Sequence, residues 1–174
     1  THTASVSSDG TMILDQYSNL TTPNEISILN IKNKMANTTL VKAENPFTGK
    51  IDLPKIEFVT LTSPDGKTPL NGRLIYPGNF DASKKYPLFM YQYSGPGSQE
   101  VKNTWNSYND YWFMMLAQQG YIVACVDGRG TGFKGAAFKK CTQKELGKYE
   151  VEDQIDAAKV FSKYAYIDGS RMGI

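Results

Sequence analysis

The chain has 174 residues, 40% hydrophobic and 12% aromatic, with 19 Lys and Arg against 17 Asp and Glu for a formal charge of +2. That apolar content excludes a disordered chain, the near-neutral balance leaves no electrostatic footprint for nucleic acid, and no apolar run approaches the ~20 residues of a membrane span. The length suits one domain or one and a fraction, and the single histidine, His2, limits the chemistry of the chain taken alone.

The first part reads as short strands at even spacing. Thr3-Ala-Ser-Val-Ser7 is followed by the turn signal Ser8-Asp-Gly10, then Met12-Ile-Leu14 and Tyr17, then a loop with Pro23. Glu25-Ile-Ser-Ile-Leu-Asn-Ile31 alternates with period two, as a half-buried strand does. Asn33-Lys34 offers a turn before Thr38-Thr-Leu-Val41. Three or four such strands make an antiparallel meander, which cannot close a core alone and suits one blade of a propeller or part of a sandwich. Asn19-Leu-Thr21 and Asn37-Thr-Thr39 match the glycosylation sequon, which has meaning only in a secreted eukaryotic protein.

Residues 44–54, with Asn45-Pro46, Gly49 and Pro54, keep no period and mark a break. Beyond it, Ile56-Glu-Phe-Val-Thr-Leu-Thr62 and Leu70-Asn-Gly-Arg-Leu-Ile-Tyr76 flank the turn Ser63-Pro-Asp-Gly66 as a hairpin. Tyr86-Pro-Leu-Phe-Met-Tyr-Gln-Tyr93 is a strongly apolar strand ending in the glycine-rich loop Ser94-Gly-Pro-Gly-Ser98. A helix capped by Asn103 or Thr104 is expected to run to Gln119, with Trp105, Tyr108, Trp112, Met115 and Leu116 on its apolar face and Gly120 beyond its end. The buried strand Tyr121-Ile-Val-Ala-Cys-Val126 follows, then Asp127-Gly-Arg-Gly-Thr-Gly132. A second helix is expected over residues 150–164, with Val151, Ile155, Ala158 and Phe161 on one face. After the turn Asp168-Gly169, Met172-Gly-Ile174 begins another strand. Apolar strands around a helix predict a βαβ crossover, and the fold class is α/β: an antiparallel hairpin feeding a parallel sheet. The chain starts Thr-His-Thr and stops in a strand pattern, so it is expected to be a piece of something longer.

Several signals bear on chemistry. The Gly-x-Gly-x-Gly of residues 128–132 lacks the spacing and direct helix entry of a dinucleotide fingerprint, so no cofactor is expected. Cys125 and Cys141 have no histidine near them in sequence and form no metal-ligand set; a buried thiol is expected at Cys125, and a disulfide between the two stays open. Glu145, Glu150, Glu152 and Asp153 are expected to complement a helix dipole rather than to act as paired acids. Ligands of open α/β sheets bind outside the carboxyl ends of the strands. Tyr93, at such an end, is either a core tyrosine with a satisfied hydroxyl or a phenol that donates to a developing oxyanion.

Taken together, Tyr91-Gln-Tyr-Ser-Gly-Pro-Gly-Ser-Gln99, Val126-Asp-Gly-Arg-Gly-Thr-Gly132, Leu146-Gly-Lys-Tyr-Glu-Val-Glu-Asp-Gln154 and Lys84-Lys-Tyr-Pro-Leu88 resemble, in order and spacing, the dipeptidyl peptidase IV group of the prolyl oligopeptidase family. The resemblance is strong over residues 56–174 and weak over residues 3–41. It implies the N-terminal part of an α/β-hydrolase peptidase domain over residues 49–174, truncated before the nucleophile elbow, and the partial last blade of a β-propeller over residues 1–48. It implies a serine peptidase that releases N-terminal Xaa-Pro or Xaa-Ala dipeptides through an acyl-enzyme. Tyr93 would be the oxyanion-hole donor, with Arg129 and Asp127 supporting the loops and no triad Ser, Asp or His in this chain. Triads of this fold run Ser, Asp, His along the chain, and His2 precedes the whole domain. The segment alone is therefore expected to be inactive. The resemblance further implies peptide substrates, a homodimer for the intact protein, an extracytoplasmic setting, and no cofactor, metal, nucleic acid or membrane contact. A non-catalytic relative lacking the serine, and a tripeptidyl or endopeptidase sibling, stay open as alternatives.

Overall fold

The computed structural model describes residues 1–33, 36–105 and 107–174. By internal contacts the chain divides into residues 1–52 with 102–111, and residues 53–101 with 112–174.

In the first unit, β1 (His2–Val6), β2 (Met12–Tyr17), β3 (Glu25–Asn30) and β4 (Ala36–Val41) pair in chain order as an antiparallel meander. The β1–β2 hairpin closes where the Ser7 N–H donates to the Met12 carbonyl (3.0 Å), and the Asp9 carboxylate accepts from the Ser7 hydroxyl (2.7 Å) and the Thr11 N–H (3.1 Å). Gly10, at φ 68°, supplies the left-handed residue that this turn needs. Between β3 and β4 the register shifts after Ile26, so Leu40 stands unpaired as a bulge. The turn expected at Asn33-Lys34 runs into residues outside the described ones.

The second unit is built on a mixed sheet of β5 (Ile56–Thr62), β6 (Pro69–Ile75), β7 (Tyr86–Tyr91), β8 (Ile122–Asp127) and β9 (Ile167–Gly173), ordered β5-β6-β8-β7-β9. β5–β6 and β6–β8 are antiparallel, while β7 lies parallel to both β8 and β9. The expected hairpin and crossover are therefore present. β8 is buried throughout and serves both faces of the sheet. Ile122, Ala124 and Val126 join a core with Leu74, Met90, Ala157 and Phe161, and Val123 and Cys125 join another with Ile75, Phe113 and Ala117. Helix α3 (Lys148–Phe161) thus covers one face. The C-terminal part of α1 (Tyr108–Gln118) covers the other.

Three expectations need correction. Helix α1 begins at Tyr108, where the Ser107 N–H and hydroxyl both donate to Asp110 (2.7 Å each), not at residue 103. Its buried face is Phe113, Met114 and Ala117, while Tyr108, Trp112 and Met115 are exposed. The face of α3 also differs: Asp153, Gln154, Ala157 and Phe161 are buried, whereas Val151 and Ile155 are 54% and 51% exposed. In addition, a short helix α2 (Ala136–Lys140) lies where no element was expected, and Asp168-Gly169 falls inside β9. No helix among the described residues is long and apolar enough to cross a membrane.

Candidate functional site

The carboxyl ends of β7 and β8 lie side by side because the two strands are parallel neighbours, with Tyr91 opposite Cys125. The chain leaving β7 reverses through Ser94 (φ 53°), Gly95 (φ 89°) and Gly97 (φ 86°). Such a run of left-handed residues suits glycine and is strained at Ser94. Tyr93 stands immediately before it and is 72% exposed, outside the cores that this chain forms. It borders an open groove of about 660 Å³, lined on its apolar side by Met90, Val151, Ile155, Met172 and Ile174.

Asp127, the last residue of β8 and itself buried, turns its carboxylate to this loop. Its two oxygens accept from the backbone N–H groups of Glu100 (2.8 Å) and Val101 (3.0 Å). The Gly132 N–H donates to the Ser98 carbonyl (2.8 Å). Three hydrogen bonds thus fasten the loop after β7 to the loop after β8, one strand from Tyr93 to its anchor. A buried carboxylate satisfied by two N–H donors is a strong fixing point, since losing it would orphan both donors.

Arg129 fixes the loop after β8 in turn. Its guanidinium forks onto Asp153 (Nη2 to Oδ1 2.7 Å, Nε to Oδ1 3.0 Å), and its own backbone N–H donates to Asp153 Oδ2 (2.6 Å). Nη1 also reaches Asp65 (3.3 Å), Nη2 lies 3.5 Å from Glu152, and the guanidinium sits 4.4 Å from the centre of the Tyr149 ring. The hydrogen bond to Asp153 raises the Arg129 pKa above its ordinary value, against the opposing effect of burial. Asp153 is 0% exposed. A side chain at Gly128 would press on Asp153, with Cβ 3.1 Å from its Cβ, so this approach of loop and helix depends on that glycine. Gln154 adds a bond from Nε2 to the Val126 carbonyl (2.9 Å).

The four acids do not act as a pair of free carboxyls: Glu152 and Asp153 share Arg129, and the other two have partners of their own. Glu145 pairs with Lys148 (3.0 Å), and Glu150 accepts from the Gly147 N–H at the start of α3 (3.0 Å). Asp153 departs from the expected helix-dipole role: it lies past the first turn, because α3 begins at Lys148, and forms a buried ion pair instead. Nothing in the local sequence names Arg129 as its partner, 24 residues away. Cys125 and Cys141 are not joined in a disulfide; the Cys141 thiol donates to the Phe138 carbonyl (3.0 Å), and burial pushes its pKa up, away from reactivity. His2 pairs through Nδ1 with Asp15 (2.8 Å) in the first unit.

Comparison with known proteins gives these features a setting. Residues 106–174 match the model of the prolyl oligopeptidase family. The chain is 42% identical over 139 residues to a protein named dipeptidyl-aminopeptidase B in Trichophyton verrucosum, covering 79% of this chain and 14% of that one. It is 42% identical over 125 residues to the mouse prolyl endopeptidase FAP, covering 71% and 16%. Among solved structures, a Bacteroides ovatus protein described as a dipeptidyl aminopeptidase IV superposes with a TM-score of 0.92 at 36% identity, over 99% of this chain and 24% of that one. Porphyromonas gingivalis dipeptidyl peptidase 4 does so with a TM-score of 0.86 at 34% identity, over 100% and 24%. The chain thus spans about a seventh of the length of the curated relatives it matches.

Proposed function

From a chain that is dipeptidyl peptidase IV-like in both sequence and fold, we propose a segment of a serine peptidase that removes N-terminal dipeptides, Xaa-Pro or Xaa-Ala, through an acyl-enzyme. In this reading residues 49–174 form the front of an α/β-hydrolase domain, and residues 1–48 belong to a propeller blade. The parent acts on peptides in an extracytoplasmic setting.

One observation carries the catalytic part: Tyr93 is exposed at the carboxyl end of a central parallel strand, on a loop held by Asp127. Acyl transfer puts negative charge on the carbonyl oxygen in the transition state, and a donor fixed beforehand stabilises that charge without reorganising. The loop after the third strand is where α/β-hydrolases build part of this oxyanion hole, and β7 is the third strand of its unit. The Tyr93 phenol donates there, Asp127 holds the loop, and Arg129 holds the strand end through Asp153. The nucleophile and its base come from parts of the parent other than this chain.

The test is Tyr93→Phe in the complete parent polypeptide, assayed on Gly-Pro and Ala-Pro amides. Loss of one such donor lowers kcat by about 10²–10³. An unchanged kcat would remove Tyr93 from the oxyanion hole. The similarity to a prolyl endopeptidase favours a second reading, cleavage within chains. Peptides with a blocked amino terminus separate the two, since an exopeptidase that grips the free amine leaves them intact.

A further inference from the structure

Phe133 follows Gly132 in the loop after β8 and combines two features that rarely coincide. It is 83% exposed, and its φ of 65° puts an aromatic residue in the left-handed region. That backbone conformation costs a non-glycine residue of order 1 kcal/mol or more, and such strain gathers at ligand clamps.

The exposure is enforced rather than loose. On one side, the Gly132 N–H is bonded to the Ser98 carbonyl of the loop that carries Tyr93 (2.8 Å). On the other, the Lys134 ammonium donates to the Pro69 carbonyl (2.6 Å) and to Asn71 Oδ1 (3.2 Å) on β6. Both neighbours of Phe133 are therefore tied to different parts of the sheet, and the ring is left pointing outward with its backbone fixed. A side chain that served the fold would be turned inward, where burial would offset the strain. Here strain and exposure are borne together.

We propose that Phe133 is a substrate-contact residue: an aromatic side chain on a fixed backbone, on the side of Tyr93 away from β9, that receives an apolar side chain of the bound peptide. This rests on the peptidase reading above. With the backbone already fixed and only two side-chain torsions to order, an aromatic residue loses little entropy on binding, which is what makes it an effective anchor. The strand order fixes the side, because β8 and β9 flank β7 on opposite edges.

The experiment compares the wild-type parent with Phe133→Ala, Phe133→Gly and Phe133→Leu on peptides carrying Leu, Phe, Ser or Gly at each position around the cleaved bond. Removing the ring should raise KM by about 3- to 10-fold, the size of one aromatic contact, for apolar residues at one subsite, with kcat retained. Peptides with Ser or Gly there should change little, and Leu should restore part of the loss. Phe133→Gly should not lower Tm, because glycine accepts the left-handed backbone without strain; a structural role would make it fall. An unchanged KM at every subsite, or a kcat loss with KM constant, overturns the inference while the peptidase reading stands. Failure of the wild type to cleave any peptide overturns both.

Discussion

Asp153 meets a helix and a strand-end loop in one carboxylate. Its two oxygens receive the Arg129 side chain and backbone, and neither residue has water to fall back on. Such a pair is a poor source of net stability, yet removing one member leaves an uncompensated buried charge. Asp153→Ala in the parent is therefore expected to destabilise by about 3–5 kcal/mol, read from denaturant midpoints. Asp153→Asn keeps the shape but not the charge and should still lose much of this. Arg129 would lose its main partner and retain only Asp65 and Glu152, both half-exposed, which compensate little. A shift below 1 kcal/mol for Asp153→Ala would mean that the pair is not the fastening that its geometry suggests.

At the scale of elements, one local device recurs in three turns and once inside β9. Ser7-x-Asp9-x-Thr11, Ser63-x-Asp65, Asp81-x-Ser83 and Asp168-x-Ser170 each place a carboxylate beside a hydroxyl and a backbone N–H, and those hydrogen bonds lower all four carboxyl pKa values. Asp168 is the extreme case, lowered from 3.8 to about 2 by the Ser170 hydroxyl first, then by Arg171 and the Ser170 N–H. A lowered carboxyl pKa contributes stability above its unfolded value and loses it as pH falls through the folded value. Asp168→Asn should therefore be less stable than wild type at neutral pH, and the gap should close between about pH 4 and pH 2. A gap of constant size across urea titrations at those pH values would contradict the assignment.

Elements whose partners lie close in sequence were legible in it: the meander, the hairpin around Ser63-Pro-Asp-Gly66, the strands on either side of α1. The faces of the helices were not. Val151, Ile155, Ala158 and Phe161 make the more hydrophobic stripe on α3, but Arg129 and the Val126 carbonyl draw Asp153 and Gln154 inward, and the helix rotates to suit. Those partners lie 24 and 28 residues upstream and leave no periodic trace. Around the candidate site, position at a strand end singled out Tyr93 and the family resemblance singled out Asp127 and Arg129, whereas the tethers of Gly132 and Lys134 appear only in three dimensions.

For the molecule as a whole, the rotation of α3 has a consequence. Val151 and Ile155, two members of the stripe that sequence would bury, are left lining the groove beside β9 with Met172 and Ile174. A continuous apolar groove is a surface on which other polypeptide or a hydrophobic dye collects, and a net charge of only +2 offers little repulsion against it. β9 pairs with β7 alone among the described strands, so an open strand edge borders the same groove. The 174-residue chain by itself is therefore expected to bind anilinonaphthalene sulfonate and to self-associate at micromolar concentration. Ile155→Lys is a sharp probe, because its side chain is half-exposed and its helix is anchored elsewhere by Asp153, Ala157 and Phe161. The substitution should reduce both dye fluorescence and association several-fold, by sedimentation or light scattering, while helix content by circular dichroism stays the same. If wild type is monomeric and dye-silent, or if Ile155→Lys changes neither signal, the groove is not the adhesive face that its lining implies.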